Sequence, residues 1–288
     1  MPKVPKDFVT TMMGLMRAQP WLAEKASSLA ETLEECESEE QQTLLLEMLS
    51  RFSYLSETEY SQGLTTMARH LFIDNHLKPS KTQLYGMQMS RDTDSSNEVA
   101  YRMRRIIARD IDDGIKHFAT MNRIPEVRLE ERPSIVIVDE FIGSGHTAII
   151  RLEHLFQRAK DTGQEVDPER VYLCFLAGMD FALERVREKF PVNVYCYKEL
   201  KKGIDGYYQG ELKEKAYSAM ESLTKSLCNP CPITEEELKP LGYGDAEALY
   251  YREEGNPPNN NFPIFWWRYR KAKGDSYTKR SPLLRRAV

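Results

Sequence analysis

The stretch Ile135-Val136-Ile137-Val138-Asp139-Glu140-Phe141-Ile142-Gly143-Ser144-Gly145-His146-Thr147 decides how this chain is read. Four β-branched residues in a row make a strand that is apolar on both sides, the pattern of a strand covered on both faces in a parallel sheet. Two carboxylates and a turn with two glycines follow. In 147–160, Ile149, Ile150, Leu152, Leu155, Phe156 and Ala159 then recur at helical spacing, with Gly163 as the stop. Strand, glycine turn and helix in that order put the turn at the carboxyl end of a strand, where open α/β sheets take their ligands. Gly143 and Gly145 allow close approach to the backbone, and the first N–H groups of the helix lack intrahelical partners, so the turn suits a phosphate. Ser144 and Thr147 add hydroxyl donors.

Outward from this stretch, 171–179 and 192–197 are also near-continuous apolar runs, separated by a helical pattern at 181–190. The alternation predicts a doubly wound α/β core with a mainly parallel sheet. Residues 82–89 alternate as a strand with Gly86 as a close-approach point. The next helix is framed by Ser95 and Glu98 as a capping box and buries Val99, Met103, Ile106 and Ile107. Residues 112–133 read as a helix followed by a mobile loop. The first eighty residues read as helices with no strand: apolar spacing at 8–15 and 44–52, an exposed acidic surface at 31–40, and a stripe of Tyr60, Leu64, Met67 and Leu71 behind a Ser56–Glu59 capping box. A helix at 210–227 precedes a segment rich in Pro, Asn and aromatic residues. The organisation expected is a helical N-terminal region (1–80), a core (81–230), a C-terminal hood (231–267) and a basic tail (268–288).

No apolar run in the 288 residues approaches the roughly 18 that a spanning helix needs, and the first residues show no secretion signal, so the expected location is cytoplasmic with no membrane partner. Five cysteines are too few and scattered for a disulfide framework. Cys228-Asn229-Pro230-Cys231 is either half a zinc site or a turn fixed by Pro230 and Pro232. The net charge is only −4, but 268–288 carries eight basic residues against Asp275 alone. Such a tail either holds the phosphates of a nucleic acid or is a solvated terminus.

Two phosphate motifs are excluded by spacing: a P-loop needs a lysine that this turn lacks, and the dinucleotide fingerprint needs a third glycine. Two acids beside a phosphate turn suit the hydroxyls of a ribose whose 5′-phosphate occupies the turn. In this order, strand, two acids, two apolar residues, small residues, Gly, any residue, Thr, the segment 138–147 resembles the signature of the type I phosphoribosyltransferases. That resemblance implies that Asp139 and Glu140 hold the ribose hydroxyls of 5-phosphoribosyl 1-diphosphate (PRPP), and that Gly143, Ser144, Gly145, His146 and Thr147 hold its 5′-phosphate. Glu140 stands where Asp is more usual, and Gly143 where Thr or Ser is common. Taken with Gly242-Tyr243-Gly244-Asp245 and the run from Asn256-Pro257-Pro258 to Trp266, the chain resembles the PRTase-CE family of bacterial conflict systems, whose members accompany retrons and other antiphage modules.

The resemblance implies a PRPP-dependent transferase acting on a nucleotide or nucleic acid as an effector or toxin, with a retron or antitoxin partner. It implies Mg²⁺ carried by the substrate, with no metal ligated directly by the protein. Arg91, Ser95 and Ser96 follow the first core strand, where the family's pyrophosphate loop lies, although helix capping also accounts for Ser95. Lys198, Lys201 and Lys202 are further leaving-group candidates or a solvated charged edge. His146 is a general base, a proton donor to phosphate, or a solvent-facing residue. Asn259, Asn260 and Trp266 form a hood over the acceptor by resemblance, while turn chemistry and packing explain them as well. Two rival expectations are a catalytically silent nucleotide-sensing or nucleic-acid-binding module of the same fold, and a housekeeping base-salvage enzyme. The long helical N-terminal region and the hood weigh against the second.

Overall fold

The computed structural model describes residues 6–87, 95–111, 120–121, 129–229, 238–272 and 276–286. In chain order, the first helices are α1 (Lys6–Ala18), α2 (Trp21–Glu24), α3 (Ala26–Glu34) and α4 (Glu39–Ser50), followed by β1 (Ser53–Leu55) and α5 (Glu57–Arg69). Next come β2 (Thr82–Gly86), α6 (Ser95–Asp110), β3 (Thr120–Met121), β4 (Ser134–Ile142), α7 (His146–Asp161), β5 (Val171–Met179), α8 (Asp180–Lys189) and β6 (Asn193–Leu200). The chain ends with α9 (Gly210–Lys225), β7 (Tyr250–Arg252), α10 (Pro263–Trp266), β8 (Tyr269–Lys271) and β9 (Tyr277–Lys279). Two compact units result: Ser56–Leu200, and Met1–Leu55 with Lys201–Val288.

The first unit is built on a five-stranded sheet, all parallel, in the order β3-β2-β4-β5-β6. Helix follows strand after β2, β4 and β5, so the doubly wound α/β fold class stands. Ile135, Val136, Ile137 and Val138 of β4 are fully buried, each worth roughly 1.5–3 kcal/mol of apolar burial. β4 is longer than the apolar run suggests, because it keeps its ladder with β5 from Ile135↔Val171 to Ile142↔Gly178. The stripe of Tyr60, Leu64, Met67 and Leu71 is fully buried, and the Ser56–Glu59 capping box forms in both directions. Gly63 explains where α5 goes. A Cβ there would meet Leu176 Cδ2 at 2.7 Å and the Tyr197 ring at 2.9 Å, so the missing side chain lets α5 lie directly on β5 and β6.

This placement differs from the organisation expected from the sequence. α5 stands with the sheet rather than with the N-terminal helices, and the chain from Lys201 onward, α9 included, joins those helices. Five strands are missing from the sequence reading: β1, β3, β7, β8 and β9. β1 lies within the supposedly all-helical first eighty residues and pairs in parallel with β7, which is about 200 positions away, so its ladder has no local signal. β3 is two residues long in a stretch expected to be a helix and a loop. At α6, Ser95 is the first helical residue, one position inside the cap role assigned to it, and Glu98 is paired with Arg102 at 3.0 Å. Residues 88–89 of the expected strand 82–89 lie outside the described residues.

The second unit packs its helices around Leu22, Leu29, Leu45, Leu49, Phe262 and Phe265. The carboxylate of Glu247, fully buried, accepts the N–H groups of Ile204 (2.7 Å) and Asp205 (2.8 Å) and the Tyr217 hydroxyl (3.1 Å), and Lys202 Nζ stands 3.7 Å away. Among its described residues, the basic tail is anchored rather than wholly solvated. β8 and β9 form an antiparallel hairpin, Leu283 and Leu284 are fully buried, and the Leu284 N–H donates to Phe265 O at 2.8 Å. Arg280 is buried. Its Nε meets Glu35 Oε1 at 2.8 Å, and its Nη1 donates to the carbonyls of Ile264 and Trp267, both at 2.8 Å. Glu35 is thereby also removed from the acidic surface expected at 31–40; its side chain is 6% exposed.

Removing one partner of a buried ion pair leaves the other charge uncompensated, so Arg280→Met should cost about 3 kcal/mol. Lys279→Met, one residue away and exposed, should stay within about 0.5 kcal/mol. Urea denaturation of the two variants measures both.

Candidate functional site

Counting strands from β2, the sheet order is 2-1-3-4-5, and the winding reverses between β2 and β4. Crossover helices leave such a junction in opposite directions, and the crevice lies at the carboxyl ends of the two strands. β4 outruns β2 there. Their pairing ends at Gly86↔Val138, and the Met87 N–H donates to Val138 O at 2.9 Å, whereas pairing with β5 continues through Phe141 and Ile142. Asp139 and Glu140 are therefore the first residues of β4 past its ladder with β2.

The two acids do not point the same way. Successive side chains of a strand face opposite sides, and the burial follows: Asp139 is half-buried, Glu140 only 4% exposed. Asp139 Oδ1 accepts the Glu140 N–H at 2.7 Å, which fixes its carboxylate against the strand. A ligand that uses both carboxylates must sit at the flank of β4, on the side that β2 has left, rather than over either face.

The turn that follows is built for a helix N-terminus approached by backbone. Gly145 is the N-cap of α7 at φ 78°, and a Cβ there would stand 3.1 Å from Ala182 O of α8. Glycine meets both demands, left-handed backbone and close packing. It also leaves the N-cap without a side chain to occupy the first N–H groups of the helix. The His146 N–H lies 3.4 Å from Ser144 Oγ, and Arg185 Nη1 of α8 donates to Ser144 O at 3.2 Å. His146 and Thr147 are exposed, and Gly143 and Gly145 are buried. Asp139, Glu140, Gly143, Ser144, Gly145, His146 and Thr147 thus form one continuous strand end, turn and helix start.

At the end of β2, Gly86 gathers two more side chains. A Cβ on Gly86 would meet Ser96 Oγ at 2.9 Å, so the buried Ser96 of α6 abuts this glycine, and Arg151 Nη2 of α7 stands 3.5 Å from Gly86 O. Burial pulls the Arg151 guanidinium below its ordinary pKa, with Tyr85 acting in the opposite direction. Sequence reasoning overlooked Arg151 and Arg185. For Arg151 a signal existed: one charge between Ile150 and Leu152 on the apolar face of a helix. Arg185 is an exposed residue of α8 with no distinguishing pattern. Arg91 and Cys231 lie outside the described residues.

Most of the remaining candidates have partners of their own. Lys202 faces the buried Glu247, and Lys198 lies on β6, the far strand of the sheet from β2. Asn259, Asn260 and Trp266 belong to the other unit and hold its loops together. Tyr243 N–H donates to Asn259 O at 2.9 Å, Asn260 Nδ2 donates to Tyr243 O at 2.8 Å, and Trp266 Nε1 donates to Asn261 O at 3.2 Å. Among the described residues no three His, Cys, Asp or Glu side chains come together as a metal site, and no helix is long and apolar enough to cross a membrane.

The sequence profile of PRTase-CE matches residues 33–286, nearly the whole chain, and the chain belongs to that family. Its fold is accordingly of the type I phosphoribosyltransferase kind, and the protein is phosphoribosyltransferase-like. Among solved structures it is similar to orotate phosphoribosyltransferase from Aeropyrum pernix, at 17% identity over 50% of this chain and 72% of that one, with a TM-score of 0.31. No curated protein matches the chain.

Gly145→Ala combines a left-handed φ with a 3.1 Å approach to backbone and should cost roughly 1–3 kcal/mol. Gly163→Ala, also left-handed but with open space around it, should cost less. Thermal unfolding of the two variants gives the comparison.

Proposed function

We propose that the chain binds PRPP at the end of β4 and transfers its phosphoribosyl group to a nucleotide or nucleic acid, as an effector of a bacterial conflict system. The observation that carries this reading is the coincidence of the acid pair and the glycine turn with the point where the sheet reverses its winding. In this reading the 5′-phosphate accepts N–H groups from residues 145–147, in the field of the α7 dipole, with the hydroxyls of Ser144 and Thr147 as further donors. The N-cap itself carries no side chain, and the Ser144 hydroxyl, 3.4 Å from the His146 N–H, is the acceptor a phosphate would displace there. Asp139 and Glu140 take the ribose hydroxyls from the flank of β4. The acids fix the sugar so that an acceptor on its far face is held in line with C1, which is the entropic part of catalysis. Loss of diphosphate from C1 leaves positive charge on the ring, which the two carboxylates stabilise, and negative charge on the departing group.

Arg151 and Ser96, brought together at Gly86, are the described groups placed to meet that departing charge. A buried guanidinium gains more from an incoming anion than a solvated one does. The donor set also fits Mg²⁺, a hard cation that keeps several waters and takes one or two carboxylates along with substrate phosphates. Asp139 and Glu140 supply at most that pair, so the ion would arrive on the diphosphate, where it neutralises charge. His146, exposed at the first position of α7, is assigned to the phosphate rather than to proton abstraction. The effector role and a retron or antitoxin partner rest on the family resemblance of 139–145, 242–245 and 256–266.

Charge-assisted hydrogen bonds are worth about 1.5–3 kcal/mol each. The double variant Asp139→Asn, Glu140→Gln should therefore weaken PRPP binding in the presence of Mg²⁺ at least tenfold by isothermal titration calorimetry, with the fold intact by circular dichroism. Affinity equal to that of the unaltered protein would overturn the assignment. Release of diphosphate in the presence of candidate acceptors separates a transferase from a silent nucleotide sensor.

A further inference from the structure

A second cavity, of about 700 Å³, lies wholly within the unit formed by residues 1–55 and 201–288. One wall is aromatic. Trp21 of α2 stacks on Tyr54 of β1 at 4.9 Å and 6°, and Tyr251 of β7 follows at 6.0 Å. Tyr54 is only half-buried, so the stack is reachable from the cavity. The C-terminal segment also lines the space, with Arg268, Arg285 and Arg286. In all, six cations and three carboxylates line it, and Arg280 among the cations is already neutralised by Glu35. The C-terminal segment is held in place. Arg268 Nη2 donates to Arg286 O at 2.7 Å, the Arg286 guanidinium sits 5.4 Å over the Trp266 ring, and Leu283 and Leu284 anchor the segment in the core.

We propose that this cavity binds a nucleotide unit, with its base extending the Trp21–Tyr54 stack and its phosphate held by Arg268, Arg285 and Arg286. An aromatic stack and several guanidinium groups lining one cavity match a ligand that is flat and apolar at one end and anionic at the other. Stacking on aromatic side chains combined with a cationic wall is how single strands are held without sequence preference. The carboxylates on the same cavity, Glu24, Glu253 and Glu254, offer acceptors to the N–H edge of a base. The proposal uses none of residues 139–147 and does not depend on PRPP chemistry.

The test titrates the full chain with a fluorescein-labelled single-stranded 12-mer, as DNA and as RNA, and separately with AMP and GMP. Anisotropy and quenching of tryptophan emission are followed. Binding by the mononucleotides assigns the site to free nucleotides; binding by the strand alone assigns it to a strand end or loop. In either case Tyr54→Leu should weaken binding about tenfold, with the salt dependence of strand binding unchanged. Arg285→Ala with Arg286→Ala, both exposed positions, should weaken it at least tenfold and lower the log–log salt slope of strand binding by about 1.4. If Tyr54→Leu does not fold, the arginine pair and the tryptophan quenching still decide. Absence of binding by every probe overturns the proposal, as does binding that neither set of substitutions alters.

Discussion

A parallel sheet that reverses its winding cannot cover both of the strands at the reversal in the same way. Here those strands are β2 and β4, and the consequences follow from their unequal length. Among the described residues, β2 ends at Gly86 while β4 runs on to Ile142 with its ladder to β5 continuing. The extra residues of β4 begin with Asp139 and Glu140, and they end in a turn whose glycines bring the backbone N–H groups of α7 to the same corner. Opposite-facing side chains on one strand can serve one ligand only from the strand's flank.

The supports of that corner come from three helices. α8 holds the turn from behind, through the Ala182 carbonyl packed on Gly145 and Arg185 on the Ser144 carbonyl. α6 brings Ser96, and α7 brings Arg151, to the end of β2. Each of these contacts has backbone on at least one side, so the geometry of the turn is set by elements of regular structure rather than by the loop alone. In the other unit the same economy applies to charge. The Arg280–Glu35 pair ties the C-terminal segment to the end of α3, and the Glu247 carboxylate ties the segment after β6 to α9.

Much of this was legible in the sequence where the signal is local. The buried run 135–138, the amphipathic stripe of α7, the glycines of the turn and the Ser56–Glu59 capping box are all patterns within a dozen residues, and each predicts the element that forms. What stayed hidden is non-local. β1 exists only because Tyr250, Tyr251 and Arg252 come alongside it, and β3 is too short to carry a period. Unit membership also depends on contacts no window contains: Gly63 looks like a weak point in a helix until Leu176 and Tyr197 are found against it. The basic tail misled for a related reason. Composition counts Arg280 as surface charge, whereas its acid partner lies 245 positions earlier. In the site itself, the order of residues revealed the strand end and turn, but not Arg185, whose role comes entirely from where α8 packs.

The account stands on a sugar phosphate engaging the backbone at the start of α7. The most direct measurement is a titration of ¹⁵N-labelled protein with ribose 5-phosphate, followed through amide chemical shifts. The account expects saturable shifts at Gly145, His146 and Thr147, carried downfield as their N–H groups bond to phosphate, together with shifts at Asp139 and Glu140. Saturation with those amides unmoved, or shifts confined to the unit formed by residues 1–55 and 201–288, would contradict it.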